Sequence, residues 1–487
     1  MTALELAQMI RRREISVNEA VQSAVMREDT NNALISRNLK QSLQQAEAAQ
    51  KRLDEADIPF CGVPVIVKDN ICTKHWKTTC ASRMLSNYLP PFDATVIKRL
   101  KQAGMVVVGK SNMDEFGMGN STETSIFGVT TNPWDDSRVA GGSSGGSTAA
   151  VAAGLTPVAL GSDTGGSIRQ PCSCCGVTGL KPTYGRVSRY GLVAFASSLE
   201  QIGPIGRDAR DCAALFDIIS GPDARDSTTS KKQNSAIAFR AKRSFDSAFK
   251  GLKIGLIQEC QKVEEPVYKT LMNTMKLLES IGAKCDIVSL PTFSYAVPAY
   301  YIISSAEASA NLARFDGIRY GYRSEQPKNL EELYRRTRSE GFGSEVKRRI
   351  LLGTFVLSAG YYDSYYLKAV HARRRIAADF QNTFSRFDLL LAPVFSRTAK
   401  KIGQQEPLKN YLDDFYTVAV NLAGLPAVSF PAGFDDDGLP IGLQLIGNVF
   451  EDEKLLDLVD CFQRYTDYHE RSLKGTLSKM GGGENDL

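Results

Sequence analysis

Two glycine- and serine-rich segments, GGSSGGS at 141–147 and GSDTGGS at 161–167, give the densest chemical signal in the sequence. Between them, a short helix is predicted to begin near Ser147 and an apolar strand to end at Leu160. Because glycine lacks a Cβ atom, such loops let the backbone approach a ligand closely and let successive N–H groups converge on a developing oxyanion. Flexible linkers do not alternate with helix and strand in this way. The pattern therefore predicts a catalytic site built around a serine.

A serine nucleophile needs a base, and Lys68 is the candidate. It directly follows the apolar run GVPVIV at 62–67 and precedes Asp69 and Asn70, so it is predicted to lie at the end of a core strand. Burial disfavours the ammonium form and can lower the pKa of a lysine by several units, which leaves a neutral amine able to accept a proton. An isolated lysine at a strand end is more often solvated. The combination with the two Gly/Ser loops makes Lys68 the predicted base.

Two other motifs match formally but lack the right context. GSSGG at 142–146 satisfies the nucleophile elbow of the α/β-hydrolases, with Ser144 as nucleophile and His371 as base, yet a turn-rich stretch precedes it where a strand is needed. GMVVVGKS at 104–111 satisfies the phosphate-binding P-loop pattern, yet its three valines favour a strand and the segment before it is helical. Lys110 is therefore expected to be structural.

The composition excludes several classes of protein. The 487 residues are 43% hydrophobic and 23% charged, as in an ordinary globular enzyme. The net charge, 59 − 54 = +5, is spread along the chain and is too dilute for a duplex-binding surface. The longest nearly apolar run, residues 149–160, is shorter than the about twenty residues of a membrane span. The amino-terminal segment lacks the apolar core of a secretion signal, so we expect a cytoplasmic protein with no membrane partner.

Cysteine placement gives no metal signature. The ten cysteines are irregularly spaced, which suits a reducing compartment. Cys172, Cys174 and Cys175 cluster in PCSCCG, but no second cluster of cysteine or histidine completes a tetrahedral zinc set. We therefore expect no metal in this chain.

The elements that must position the site alternate between helix and strand, which predicts an α/β sheet. Two capping-box patterns predict amino-terminal helices, Thr2-x-x-Glu5 and Ser16-x-x-Glu19. Further helical runs are expected at about 36–55, 266–281 and 291–387. Short apolar runs predict strands at 63–67, 105–109, 157–160, 251–257, 283–290, 389–394, 426–433 and 440–447.

Three segments together resemble the amidase signature family: GVPVIVKDNI at 62–71, GGSSGGSTAAVAAGL at 141–155 and LGSDTGGSIRQP at 160–171. The motifs are specific, and the resemblance covers most of the chain. It implies the α/β fold of that family, a large mixed β-sheet core covered by helices on both faces, as a single domain over 1–487. Its parts would be a helical amino-terminal layer (1–55), the signature core (56–220), a polar loop (221–250), the remaining sheet and helices (251–470) and a flexible tail (471–487).

The resemblance also implies a Ser-cisSer-Lys triad in place of Ser-His-Asp. Carried over by motif, Ser167 would be the nucleophile, Ser143 the bridging serine and Lys68 the base. The oxyanion hole would be formed by four successive backbone amides, those of Thr164, Gly165, Gly166 and Ser167.

Within this family, the chain is similar to the glutaminase subunits of tRNA-dependent amidotransferases. The similarity runs through GKSNMDEFGMGNSTETS at 109–125, RSEGFGSEVKRRILLGT at 338–354 and VNLAGLPAVS at 420–429, among other segments. Such subunits release ammonia from glutamine for a B subunit that uses ATP and Mg²⁺, and a small C subunit completes the heterotrimer. The similarity implies glutamine as substrate, Glu-tRNA(Gln) met mainly through the B subunit, and no cofactor in this chain.

Residues that would bind glutamine carry over as Tyr300, Arg349 and Asp414. An arginine fork suits the α-carboxylate, a carboxylate suits the α-ammonium, and a phenol can fix the orientation. Three neighbours of the same types remain alternatives: Tyr301, Arg348 and Asp413. Two other functions also stay open, a free-standing amidase of small-molecule amides and a non-catalytic scaffold subunit.

Overall fold

A computed structural model describes residues 1–56, 58–231, 248–404, 411, 413–471 and 473. Eleven strands form one mixed sheet and two more form a separate antiparallel pair. The strands are β1 (Leu34–Arg37), β2 (Pro64–Lys68), β3 (Val106–Ser111), β4 (Thr131–Asn132), β5 (Asp135–Val139), β6 (Val158–Asp163), β7 (Thr178–Lys181), β8 (Gln201–Gly206), β9 (Lys253–Ile257), β10 (Lys284–Val288), β11 (Leu389–Pro393), β12 (Ala427–Phe434) and β13 (Pro440–Ile446).

Helices cover the sheet on both faces. They are α1 (Ala3–Arg11), α2 (Val17–Met26), α3 (Leu39–Glu55), α4 (Thr95–Gln102), α5 (Gly145–Ala152), α6 (Arg169–Cys175), α7 (Ala209–Ile219), α8 (Glu265–Ser280), α9 (Ala296–Asn311), α10 (Leu330–Gly341), α11 (Ser344–Val356), α12 (Lys368–Phe384), α13 (Phe415–Leu422) and α14 (Asp452–Tyr465). Alternation along β2 shows the two layers: Val65 and Val67 pack with α4 and α7, whereas Ile66 packs with α2, α3 and α5.

The strand order in the large sheet is β1-β3-β2-β6-β8-β7-β12-β13-β11-β9-β10. Strand β2 is parallel to β3 and β6, and β9 is parallel to β10 and β11. The strands between these two groups pair antiparallel. The sheet is therefore mixed, and the predicted fold class is confirmed.

The topology brings the predicted base and the second Gly/Ser loop to one edge of the sheet. Strands β2 and β6 are adjacent and parallel, so their carboxyl ends meet there. Strand β2 ends at Lys68, and β6 ends at Asp163, directly before the 164–167 loop. The first Gly/Ser loop leads into α5, which packs against β6. Three segments distant in sequence thus converge.

The amino-terminal prediction is confirmed in part. Both capping boxes form: the Thr2 hydroxyl accepts the Glu5 amide at 3.1 Å, and the Ser16 hydroxyl accepts the Glu19 amide at 3.2 Å. The third helix, predicted over 36–55, begins only at Leu39. The residues just before it instead form β1, because they pair with β3 at the edge of the sheet.

The positions of the P-loop match and of the hydrolase-elbow match show why neither motif has the function that its pattern suggests. Residues 106–111 form the fully buried strand β3, so they cannot wrap around a phosphate, and the P-loop match is coincidental. Lys110 lies 3.6 Å from the Asp69 carboxylate and donates to the Ile71 carbonyl at 2.6 Å, which confirms a structural role. The hydrolase elbow is also excluded, because His371 is exposed on α12 whereas Ser144 is fully buried.

Some predictions fall partly outside the described residues. Of the polar loop predicted over 221–250, residues 221–231 and 248–250 are described, and the first part is held to the body where Ser188 donates to Asp223 at 2.7 Å. The rest of that loop at 232–247, and tail residues 472 and 474–487, lie outside the described part. The division into one domain with these boundaries stays a prediction. No helix among the described residues is long and apolar enough to cross a membrane.

Candidate active site

Lys68 is the buried centre of the site. Its side chain is inaccessible to solvent, and its Nζ atom lies 2.7 Å from Ser143 Oγ and 2.9 Å from Ser144 Oγ. Burial lowers the pKa of Lys68 to about 7, although the carboxylates of Asp114 and Asp163 oppose that shift. A large fraction of the amine is therefore neutral near neutral pH, as the sequence predicted for a base.

A cis peptide bond joins Gly142 to Ser143. The glycine is required by close packing: a Cβ atom at position 142 would lie 2.1 Å from Asp114 Oδ2 and 2.6 Å from the Ser121 nitrogen. The Asp114 carboxylate is itself fixed, because it accepts the Thr122 amide at 2.9 Å and the Thr124 hydroxyl at 3.0 Å. Asp114 therefore supports the backbone that presents the Ser143 hydroxyl to the lysine.

Ser144 links the two Gly/Ser loops. Its amide donates to the Ser167 carbonyl at 3.0 Å, which holds the predicted nucleophile beside the first loop. Its hydroxyl donates to the Ser162 carbonyl at 3.1 Å, and Lys68 Nζ lies 3.3 Å from that same carbonyl oxygen. Lys68 therefore has two fixed oxygen neighbours besides Ser143. The sequence analysis did not identify this supporting role of Ser144, because the GSSGG pattern suggested Ser144 only as the nucleophile of a hydrolase elbow.

Ser167 lies on the loop between β6 and α6 and is 8% exposed. Within the described part of the chain, its hydroxyl and the amides of Thr164, Gly165 and Ser167 have no hydrogen-bond partner. The amide of Gly166 differs, because it donates to the Asp163 carboxylate at 2.8 Å. Of the four amides assigned to the oxyanion hole, three are thus available to bind an oxyanion, whereas the amide of Gly166 already donates to Asp163.

The Asp163 carboxylate holds the nucleophile loop in place through hydrogen bonds to its backbone amides. Its carboxylate accepts the amides of Gly166 at 2.8 Å and Ile168 at 3.2 Å, the Asn421 side chain at 2.9 Å and the Arg169 guanidinium at 3.1 Å. Burial alone would raise the pKa of Asp163, but the charge and hydrogen bonds of Arg169 outweigh it and lower the pKa to about 2. The sequence placed this aspartate inside GSDTGGS without assigning it a role.

Tyr300 packs directly on the oxyanion loop. A Cβ atom at Gly165 would lie 2.6 Å from the Tyr300 phenol oxygen, so only glycine leaves room for the ring. Tyr300 is buried on α9, and its pKa is raised by burial, an effect that the nearby Arg349 charge opposes. The ring of Tyr301 lies 5.1 Å away, centroid to centroid.

Arg349 and Asp414 meet around Tyr301. The Tyr301 hydroxyl donates to Asp414 Oδ2, and the Arg349 guanidinium lies 4.9 Å from the centre of the Tyr301 ring. Asp414 also accepts the Gln170 side chain at 3.0 Å, while Arg349 Nε donates to Glu345 at 2.8 Å. Burial raises the pKa of Asp414. The structure thus brings Arg349, Tyr301 and Asp414 together in one buried cluster, which contacts Gln170 just after the nucleophile loop.

Two of the three alternative substrate residues, Arg348 and Asp413, form ion pairs outside the cluster around Tyr301. Arg348 is half exposed and forms an ion pair with Glu345 at 2.7 Å. Asp413 forms ion pairs with Arg397 at 2.9 Å and Lys400 at 2.8 Å. Tyr301, in contrast, lies inside this cluster, where its ring contacts that of Tyr300. The sequence could not distinguish them, because adjacent residues on a helix point in different directions that only packing identifies.

The chain is similar to known proteins in both sequence and fold. Residues 16–456 match the family model for Amidase. The chain is 50% identical over 482 residues to the A subunit of the glutamyl-tRNA(Gln) amidotransferase from Coxiella burnetii, covering 97% of this chain and 99% of that protein. It is 50% identical to the corresponding protein from Persephonella marina, covering 95% and 97% of the two chains. The crystal structure of the corresponding protein from Thermotoga maritima superposes with a TM-score of 0.78 at 43% identity, covering 96% of this chain and 95% of that one.

Proposed function

The chain belongs to the amidase family, and on that premise we propose that it is the glutamine-hydrolysing A subunit of a glutamyl-tRNA(Gln) amidotransferase. In this role it supplies ammonia for the conversion of Glu-tRNA(Gln) to Gln-tRNA(Gln). Near-complete mutual coverage with curated A subunits at half identity supports this role over that of a free-standing amidase.

The observation that carries the chemistry is the buried contact between Lys68 and Ser143. A neutral lysine amine has two hydrogens and one lone pair. The Ser162 carbonyl at 3.3 Å and the Ser144 hydroxyl at 2.9 Å are suited to accept the two hydrogens. The lone pair then faces the Ser143 hydroxyl at 2.7 Å, so the amine is oriented to remove a proton through that serine.

In the proposed reaction, Ser143 passes a proton from Ser167 to Lys68 while the Ser167 oxygen attacks the carboxamide carbon of glutamine. The amides of Thr164, Gly165 and Ser167 stabilise the oxyanion that forms on the carboxamide oxygen. The proton returns to the leaving nitrogen, the C–N bond breaks and ammonia departs. Water then hydrolyses the γ-glutamyl ester by the same route, which restores the Ser167 hydroxyl and releases glutamate.

The buried cluster of Arg349, Tyr301 and Asp414 has the charges that free glutamine requires. Arg349 supplies a donor fork for the α-carboxylate, and Asp414 supplies an acceptor for the α-ammonium. Tyr300 lies against Gly165 in the nucleophile loop, and its ring also contacts Tyr301. Tyr301 holds Asp414 in place through its hydroxyl. An uncharged amide could form neither of these two charge-assisted interactions, which disfavours its binding relative to glutamine.

Companion subunits complete the proposed activity. The ammonia passes to a B subunit, where ATP and Mg²⁺ activate Glu-tRNA(Gln), and a C subunit completes a heterotrimer in the cytoplasm. This chain itself needs no cofactor for the amide hydrolysis, because its own lysine and serines provide the base, the relay and the nucleophile.

A comparison of wild type with Ser167→Ala in the assembled complex tests the proposal. We expect the variant to lose glutamine-dependent formation of Gln-tRNA(Gln) but to keep the reaction when ammonia is supplied directly. A non-catalytic scaffold would leave glutamine-dependent formation unchanged by the substitution. A free-standing amidase would hydrolyse generic amides alone and would support no tRNA-dependent reaction with either ammonia source.

A further inference from the structure

Helix α13 presents three polar side chains to the nucleophile loop. Asp414, Thr417 and Asn421 are spaced three and four residues apart, which places them on one face of the helix. Asn421 donates to the Asp163 carboxylate at 2.9 Å. Asp414 accepts the side chain of Gln170 at 3.0 Å. Thr417 lies between these two contacts, and no step of the proposed reaction uses it.

The hydroxyl of Thr417 donates to the backbone carbonyl of Gly165. A threonine inside a helix can donate to a carbonyl of its own helix, three or four residues earlier. For Thr417 that carbonyl belongs to Asp414 and lies farther away, at 3.3 Å. Thr417 is inaccessible to solvent, so water does not compete for the hydroxyl. Its hydrogen is therefore directed out of the helix, to a residue 252 positions earlier in the chain.

The peptide unit between Gly165 and Gly166 is held at both ends. Its carbonyl accepts from Thr417, and its N–H donates to the Asp163 carboxylate at 2.8 Å. The C=O and N–H groups of a trans peptide point in opposite directions, so a bond at each end fixes the rotation of the peptide plane. A bond at one end alone would leave the other end free to tilt.

The sequence of the loop does not restrain this peptide, because both of its residues are glycine. Gly166 has a φ of +139°, in the region that side chains other than glycine rarely adopt. A Cβ atom at Gly166 would lie 2.4 Å from Thr417 Oγ1, so the absence of a side chain also gives the threonine room. The contact with α13 thus supplies a restraint that two successive glycines cannot provide.

This restraint reaches the amides assigned to the oxyanion hole. The N–H groups of Gly165 and Ser167 belong to the peptide units directly before and after the one that Thr417 holds. When that peptide rotates, the directions of both neighbouring N–H groups change with it. Stabilisation of an oxyanion depends on donors that are aligned before the reaction begins. Loss of the Thr417 bond would therefore weaken the oxyanion hole, although Thr417 bonds to neither amide.

We propose that Thr417 is a positioning residue for the oxyanion hole: its hydroxyl fixes the Gly165–Gly166 peptide and thereby aligns the N–H groups on either side. The inference rests on the proposed function, which makes Ser167 the nucleophile. An oxyanion forms on every amide that Ser167 attacks, whether or not the amide carries the charges of glutamine. Thr417 therefore acts on the rate of the chemical step and not on the recognition of glutamine.

Two pairs of side chains separate the effect of the hydroxyl from that of side-chain size. Thr417→Val replaces the hydroxyl by a methyl group at nearly constant shape, whereas wild type keeps it. Thr417→Ala and Thr417→Ser differ from each other by one oxygen atom, and both lack the methyl group. The matched control is Thr383→Val, because Thr383 is 3% exposed on α12 and donates within its own helix, to the Asp379 carbonyl at 2.8 Å.

The assembled complex is assayed for kcat and KM on glutamine and on a small generic amide, and thermal unfolding of each variant checks the fold. We expect Thr417→Val and Thr417→Ala to lower kcat about 30-fold on both substrates with KM within about twofold, because the lost stabilisation is made in the transition state. Thr417→Ser is expected to keep kcat within about threefold of wild type, and Thr383→Val to leave it unchanged. If Thr417→Val does not fold, the comparison of Thr417→Ala with Thr417→Ser decides in the same way.

Three results would overturn the positioning role. A kcat within about threefold of wild type in both variants that lack the hydroxyl would show that the bond to Gly165 does not matter. Equal losses in Thr417→Ser and Thr417→Val would assign the effect to packing. A higher KM for glutamine with an unchanged kcat would assign Thr417 to substrate binding. In each case the proposed function stands if wild type hydrolyses glutamine and Ser167→Ala does not; if that difference is absent, both inferences fail.

Discussion

Tyr300 lies so close to Gly165 that a Cβ atom at Gly165 would be 2.6 Å from the phenol oxygen. This contact joins two parts of the site that are far apart in sequence. Gly165 provides one of the amides available to the oxyanion, and Tyr300 belongs to the proposed glutamine pocket on α9. The shape of the substrate pocket and the position of the oxyanion amides are therefore coupled.

Gly165→Ala is expected to lower kcat for glutamine about 100-fold, because the ring and the added methyl group cannot both fit and the loop must move its amide. A ring packed on all sides is less able to yield than a flexible side chain. Steady-state glutaminase kinetics measure the effect. Gly438→Ala is the control for a general effect of glycine replacement, because nothing lies within 4 Å of the added atom and only the backbone strain of its φ of +81° remains. A kcat within threefold of wild type would show that the contact does not matter.

Lys68→Ala and Lys68→Arg are both expected to be nearly inactive. Arginine stays protonated at any accessible pH and cannot act as a base. Because the pKa of Lys68 is lowered to about 7, wild-type kcat/KM should decrease as the pH falls below 7, by about tenfold for each further unit. A pH profile of glutamine hydrolysis provides the measurement. Near-normal turnover by Lys68→Arg would rule out this lysine as the base.

Arg349→Ala and Asp414→Ala are expected to weaken the use of glutamine roughly 10- to 150-fold, since each removes one charge-assisted hydrogen bond. Hydrolysis of a small generic amide by Ser167 should change little. Arg348→Ala is the matched control, because Arg348 is half exposed and lies one residue away on the same helix. An equal loss on both substrates for Arg349→Ala would make Arg349 a structural residue and remove the evidence for glutamine recognition.

Asp163→Asn is expected to lower both stability and activity. It leaves the buried Arg169 guanidinium without its charge partner, and breaking a buried ion pair costs about 3–5 kcal/mol. Since the pKa of Asp163 is lowered to about 2, the stability from this pair should be present at neutral pH and be lost only as the pH falls from about 4 towards 2. Thermal unfolding from pH 7 to pH 2 measures both effects.

A surface ion pair gives the control for this substitution. Asp437 lies 3.7 Å from Arg138, and its side chain is 77% exposed, so Asp437→Asn should leave the unfolding temperature unchanged. If Asp163→Asn were equally silent, Asp163 would not be the support of the nucleophile loop.

The sequence alone predicted most of the strands, the first two helices and a set of candidate reacting residues. Capping boxes and β-branched runs are local signals, so the first two helices and most strands were predicted with small shifts in their bounds. The glycine-rich motifs predicted a site built around a serine, with Lys68 as the candidate base, and the resemblance to the amidase signature family implied the roles of Ser143 and Ser167.

Only the tertiary structure decided which groups surround those residues. Leu34–Arg37 became a strand because β3 offered an unpaired edge, which no local pattern reveals. The support from Ser144 and Asp114, and the burial of Arg349 against Tyr301 while Arg348 is half exposed, depend on contacts between segments distant in sequence. The occupied amide of Gly166 depends on how the loop folds around Asp163. The physical reason is that a side chain's direction, burial and partners are set by the packing of whole elements, whereas a sequence motif fixes only its type and its local backbone.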